Sequence, residues 1–207
     1  MTGRLARTSS VLLSLLLPTI SGCGPAGLDD HYPESHVNRT VLASAPPRRV
    51  EVRPVADRRI DTTRIGVKPK NEGDIVTSRP VADLVREALV LELSKNGHSV
   101  VSDGREVVMA ASVEDFRLDE VAGYARTRYV GRVVIAVNIV DDRGGEILLA
   151  RRYVGINRRD MDKASDDARR ETMNAALART MHDLATDPEL AKVLASVRTA
   201  ATSEPVR

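Results

Sequence analysis

Tyr129-Val130-Gly131-Arg132-Val133-Val134-Ile135-Ala136-Val137-Asn138-Ile139-Val140 runs straight into Asp141-Asp142-Arg143-Gly144-Gly145, and this stretch decides the fold. Tyr129, Gly131, Val133, Ile135, Val137 and Ile139 recur at every second position, the period of a strand with one buried face. The acidic and glycine cluster that follows reads as a hairpin turn. A partner strand is expected over 146–156.

Upstream, residues 106–118 carry a third strand. Val107, Met109, Ala111 and Val113 alternate, and then Phe116 and Leu118 continue in the opposite phase. A phase flip of this kind predicts a bulge near Glu114-Asp115. The three strands form an antiparallel meander.

Further out, Val50, Val52 and Val55 fit a first strand over 49–56. A polar loop over 57–73 holds a short extended piece at 63–67. Ser78-Arg79-Pro80 opens a helix, with Ser78 expected as N-cap and Pro80 in the first turn. Val81, Leu84, Val85, Ala88, Leu89 and Leu93 give it one apolar stripe, and Gly97 closes it. Residues 98–101 form a short strand. A second long helix over 162–185 opens at Ser165-Asp166-Asp167. A last short helix begins at Asp187-Pro188-Glu189.

The order is β-α-β-β-β-β-α. Two striped helices most simply cover one face of a single sheet. The expected fold is therefore α/β: a two-layer sandwich, mostly antiparallel sheet with two helices on one face, over 49–198. The other face is left open, with Ser112, Asn138 and Arg152 among Val134 and Ala136. Residues 199–207 are read as a disordered tail.

Composition narrows the function. The chain has 207 residues, one Cys, one Phe, four Tyr and no Trp, with 31 basic against 29 acidic residues. One Cys excludes an intrachain disulfide framework and a cysteine zinc cluster. A formal charge of +2 is not that of a nucleic-acid binder. An aromatic content of 2% argues against base-stacking platforms and aromatic-lined sugar clefts.

The first 22 residues read as an export signal. Arg4 and Arg7 come first with no acid, then the apolar run Val11 to Leu17, then small residues. The run is far short of the roughly 20 residues that span a bilayer. Ile20-Ser21-Gly22-Cys23 resembles the lipobox of bacterial lipoproteins. That resemblance implies cleavage between Gly22 and Cys23 and acylation of Cys23, with palmitate or a similar chain. Gly24, rather than Asp, follows the Cys, which favours the outer membrane in a Gram-negative cell. Removal of residues 1–22 takes away two positive charges and leaves 29 basic against 29 acidic residues. The excess belonged to the signal. Residues 23–48, rich in Pro, Gly and Ser, are expected to be a flexible, lipid-anchored linker.

From Val55-Ala56-Asp57-Arg58-Arg59 and Ile65-Gly66, through the helix 81–97 running into His98-Ser99-Val100-Val101, to the valine strand after Tyr129 and its hairpin, the chain resembles the YajG-like family of uncharacterised bacterial lipoproteins. The resemblance covers about 50–195. It implies an outer-membrane-anchored periplasmic domain and no reaction.

Catalytic chemistry finds no foothold in the residues. Cys23 is blocked once acylated. His31 and His36 lie in the expected linker, which offers no preformed metal geometry. His98 follows a helix-ending glycine and is expected in a partly exposed loop. His182 is expected at the margin of its helix's apolar stripe. No Gly-x-Ser-x-Gly element or phosphate-binding glycine loop is present, and nothing calls for a cofactor or metal. Asp57 and Arg59 are candidates for a ligand-contacting loop or, more simply, a structural pair that pins the loop. The doublets Arg48-Arg49, Arg58-Arg59, Arg151-Arg152, Arg158-Arg159 and Arg169-Arg170 admit an anionic lipid as partner. In a strand, however, neighbours such as Arg151 and Arg152 point to opposite faces. The reading that results is a non-enzymatic envelope lipoprotein, held to the membrane by its lipid and binding another envelope protein. An auxiliary role in envelope lipid or lipopolysaccharide transport is the first alternative, and a cell-wall enzyme the second.

Overall fold

The computed structural model describes Leu28, Tyr32, Arg39, residues 41–143 and residues 145–197. Gly22, Cys23, the signal segment, most of the linker, His31, His36 and the tail lie outside the described residues.

Eight strands and three α-helices make up the described chain: β1 (Arg49–Val52), β2 (Ala56–Asp57), β3 (Gly66–Val67), β4 (Asp74–Ile75), α1 (Val81–Lys95), β5 (Ser99–Val100), β6 (Val107–Ala122), β7 (Thr127–Asp141), β8 (Ile147–Met161), α2 (Asp166–Ala185) and α3 (Pro188–Ser196). The main sheet runs β5-β1-β6-β7-β8. The β6-β7-β8 meander is antiparallel, while β1 is parallel to both β5 and β6. β2 also pairs in parallel with β6, farther along it. The expected first strand thus divides into two. Pro54, which has no N–H to give to a ladder, sits at the break.

The expected sandwich is present. The odd-numbered β7 residues Val133, Ile135, Val137 and Ile139 are fully buried against the helices. Leu84, Leu89 and Leu93 of α1 and Met173, Met181 and Leu184 of α2 complete this core. The register shift falls between Val113 and Asp115, where the phase flip placed it.

Helix α2 lies unusually close to the sheet. A Cβ on Gly155 would sit 2.0 Å from the Ala176 carbonyl, and one on Gly131 would sit 2.9 Å from that of Thr172. Ala168, Thr172, Ala176 and Thr180 recur at every fourth position and give α2 a ridge of small residues on this side. Small residues on both elements let the backbones approach.

Three expectations are corrected. Ser78 does not cap α1: the N-cap position is Pro80, with no side-chain cap. The Ser78 N–H instead donates to the Leu28 carbonyl at 2.8 Å. His98 is not partly exposed but buried, at 3% exposure. It follows directly on the turn in which Gly97 (φ +91) reverses the chain and carries it back under α1. The linker reading fails for several described residues: Leu28, Tyr32, Leu42, Ala45 and Arg48 are all buried. Tyr32 meets Glu92 of α1, and the turn at Leu42–Ser44 lies against α3. Arg48 donates through Nε to the Leu194 carbonyl (2.7 Å) and through a terminal nitrogen to that of Ala195 (3.1 Å), in the last turn of α3. A cation is favoured there because the last carbonyls of a helix lack partners.

Candidate functional site

The bulge in β6 creates the main surface feature. In a regular strand Glu114 and Asp115 would point to opposite faces. The extra residue brings both onto the open face, where each carboxylate meets an arginine from the meander. Glu114 pairs with Arg152 of β8 at 2.6 Å, and Asp115 with Arg132 of β7 at 3.2 Å. Arg151, one residue before Arg152, points to the helix side and approaches Asp187 at 3.8 Å. The doublet does divide between the two faces.

These pairs stand beside a groove of about 960 Å³ between the open face and the loop that follows β2. Val121, Val130 and Val134 line it from the sheet, and Ile60 from the loop. Val134 pairs directly with Val154 across the β7-β8 ladder, and Ile156 lies two residues on. Val134 itself is buried, at 1% exposure, but Val121, Val154 and Ile156 are 59%, 40% and 36% exposed, so separate apolar side chains in and beside the groove are in contact with solvent.

Asp57 and Arg59 build the loop wall. Arg59 holds both carboxylate oxygens of Asp57, at 2.8 to 3.2 Å, and donates to the carbonyls of Arg64 (3.1 Å) and Thr62 (3.3 Å). The Arg59 backbone N–H also donates to Asp57 Oδ1 at 3.2 Å. Burial works to raise the Asp57 pKa, but the Arg59 contacts outweigh it and hold the carboxyl below its usual value. Asp61 accepts from the Thr63 N–H and hydroxyl and from Arg64, and its pKa is drawn down to about 2. Arg64 also reaches Asp74 at 2.8 Å, which ties the loop to β4. The pair pins its loop and, through that loop, borders the groove.

The electrostatics of the groove are mixed. Its arginines Arg59, Arg64, Arg117, Arg132 and Arg152 each face a carboxylate within 3.4 Å. They are not a free phosphate-binding cluster. Among the described residues no group of three His, Cys, Asp or Glu could hold a metal ion. No described helix is long and apolar enough to cross a membrane. His182 is exposed on α2, and His98 is buried just past α1, where its backbone N–H donates to the Leu93 carbonyl at 3.0 Å. Burial lowers the His98 pKa, against a pull from the Leu42 backbone, and the Arg48 cation lowers it further.

Two buried polar clusters were not anticipated from sequence. Glu120 on β6 holds Arg169 of α2 by two bonds, at 2.8 and 3.0 Å, with both side chains under 10% exposed. Glu92, fully buried on α1, accepts from the Tyr32 hydroxyl and from Asn96. The only sequence signal for Glu92 is its place on the apolar stripe of α1, a turn from Ala88 and Leu89.

The family model that matches residues 44–195 is described as an uncharacterised lipoprotein. No curated protein matches the chain. Among solved structures, a Xanthomonas campestris protein is similar at a TM-score of 0.55 and 18% identity, over 72% of this chain and 89% of that one. A Caulobacter crescentus structure is similar at 0.45 and 18%, over 79% and 96%. A minor lipoprotein from Acinetobacter baumannii is similar at 0.37 and 13%, over 67% and 92%. At such identities the likeness is one of fold alone, and of these three only the first carries it. The family match supports the lipoprotein reading at that level and does not extend to the YajG-like family in particular.

Proposed function

The chain belongs to this family of uncharacterised lipoproteins, and from that premise we propose that it is a non-enzymatic envelope protein, anchored through acylated Cys23, that docks another envelope protein in the groove of its open sheet face. The proposal places it at the outer membrane, facing the periplasm. One observation carries the docking site: the groove brings exposed apolar side chains together with charges of both signs that are already paired. Protein surfaces meet such a site well, because apolar contact supplies affinity and the mixed rim supplies register. A lipid phosphate would have to displace a carboxylate from each arginine, which weakens the lipid-transport alternative.

The test places a photo-crosslinking residue at Val130, in the groove, or at Lys192, on α3, in the full-length protein in its own envelope. One discrete protein adduct from position 130 and none from 192 is expected. Lipid adducts alone from position 130 would favour the transport alternative. Equal adducts from both positions would remove the groove from the account. Cys23→Ser supplies the check on the anchor: uncleaved precursor without fatty-acid label is expected, and labelled protein of mature size would contradict the assignment.

A further inference from the structure

We propose that the loop carrying Ile60 rests on the bilayer in which the anchor sits, so that the groove opens at the membrane surface. This rests on the reading of Cys23 as the acylated residue. Leu28 is buried, donates to the Val76 carbonyl and accepts from the Ser78 N–H, each at 2.8 Å. Four residues on, the Tyr32 hydroxyl bonds to the buried Glu92 carboxylate. The chain is therefore tied to the domain at Leu28 and again at Tyr32. Leu28 stands five positions after Cys23, and five residues reach at most about 18 Å when fully extended. The anchor cannot hold the domain away from the lipid; it draws the point beside Thr77 down to it.

That point adjoins the Ile60 loop. Arg59, Thr62 and Arg64 form one side of a cleft of about 300 Å³, and Thr77, Ser78 and Arg79 form the other. Ile60 is completely exposed at the tip of this loop. A lone exposed isoleucine would mean nothing. Here the loop beneath it is braced by Arg59, Asp61 and Arg64, which hold the apolar tip outward. An apolar side chain held out beside a short lipid tether is placed to enter the headgroup layer, where its burial adds to that of the acyl chains. A partner that reaches the groove must then present its docking segment close to the bilayer.

The chain's single Cys makes the test clean, since acylation of Cys23 leaves an introduced thiol as the only free one. Ile60→Cys and Arg143→Cys are each made in the full-length lipoprotein, labelled with nitrobenzoxadiazole and reconstituted in phosphatidylethanolamine–phosphatidylglycerol vesicles. Arg143 lies in the β7-β8 turn, at the opposite end of the sheet. A blue-shifted emission quenched by spin-labelled lipid is expected at position 60, and water-like emission at 143. Acylated, vesicle-bound protein with water-like emission at both positions would overturn the orientation and leave the anchor standing. Protein that carries no lipid and fails to float with the vesicles would overturn the anchor, and the orientation with it. A probe at 60 shielded from aqueous iodide yet not quenched by spin-labelled lipid would assign the loop to a second protein surface instead.

Discussion

The two faces of one sheet have been built to opposite rules. On the helix side, Val133, Ile135, Val137 and Ile139 are fully buried, and glycines at 131 and 155 let α2 close to backbone contact. On the open side, the same strands carry Arg132, Arg152 and Arg158 between valines, and the arginines at 132 and 152 are held by carboxylates at the edge of a groove. The covered face has little room for change because close-packed interiors do not yield. The exposed residues of the open face can change with little effect on folding, whereas Ser112 and Val134 on it are buried. Residues that are conspicuous and apolar there, yet unnecessary to the fold, are where an interaction surface should be sought.

Substitutions can break this contrast in order of expected effect. Arg169→Ala should be the most damaging, because it leaves Glu120 buried without its cation. Removing one partner of such a pair costs about 3–5 kcal/mol, readable as a lower midpoint in urea. A midpoint near that of the unsubstituted protein would show that Glu120 finds water. Gly155→Ala follows. Its new methyl must push α2 from the sheet, and overpacking of this kind costs about 1–3 kcal/mol; thermal melting would register it. A neutral result would mean that α2 slides along the sheet freely.

Acidification should have a smaller effect, confined to the covered side. His98 is held neutral by burial and by Arg48, so its folded pKa lies below its unfolded value. The unfolded chain then binds a proton that the folded chain refuses. Stability from this group is fully present above the unfolded pKa of about 6.5 and is lost as the pH falls below it. The melting temperature should drop between about pH 7.5 and 5.5, and less so in His98→Gln. Equal slopes would contradict it. Arg152→Ala should have the least effect on folding. Its pair with Glu114 is largely exposed on the arginine side, and exposed pairs contribute about 0–1 kcal/mol. A melting temperature far below that of the parent would show that the open face is structural after all.

The covered face was readable from sequence because burial on one side imposes a period of two on strands and a three-four spacing on helices. The bulge was readable too, since a register shift inverts the phase of the apolar residues. The groove was not. Its walls come from residues 59–67, 114–121, 130–134 and 152, which are distant in sequence and share no period. Glu114-Asp115 and the arginine doublets were visible as residues, but only the paired strands show which arginine meets which acid. The last turns of the meander also escaped notice. Beyond Leu118 the sequence turns to Asp119 and Glu120, and β6 nevertheless continues to Ala122. Ladder hydrogen bonds to β7 sustain it where apolar alternation has stopped. The buried Tyr32 and Leu28 were obscured by their Pro- and Gly-rich surroundings.

Oxidative footprinting of the full-length lipoprotein, in its native envelope and after purification into detergent, tests the contrast most directly. The account predicts that Val121, Val130, Val154 and Ile156 become protected in the envelope, while exposed positions on α2 and α3 such as His182 and Lys192 do not change. Protection of the helix side, with these open-face residues equally reactive in both states, would contradict it.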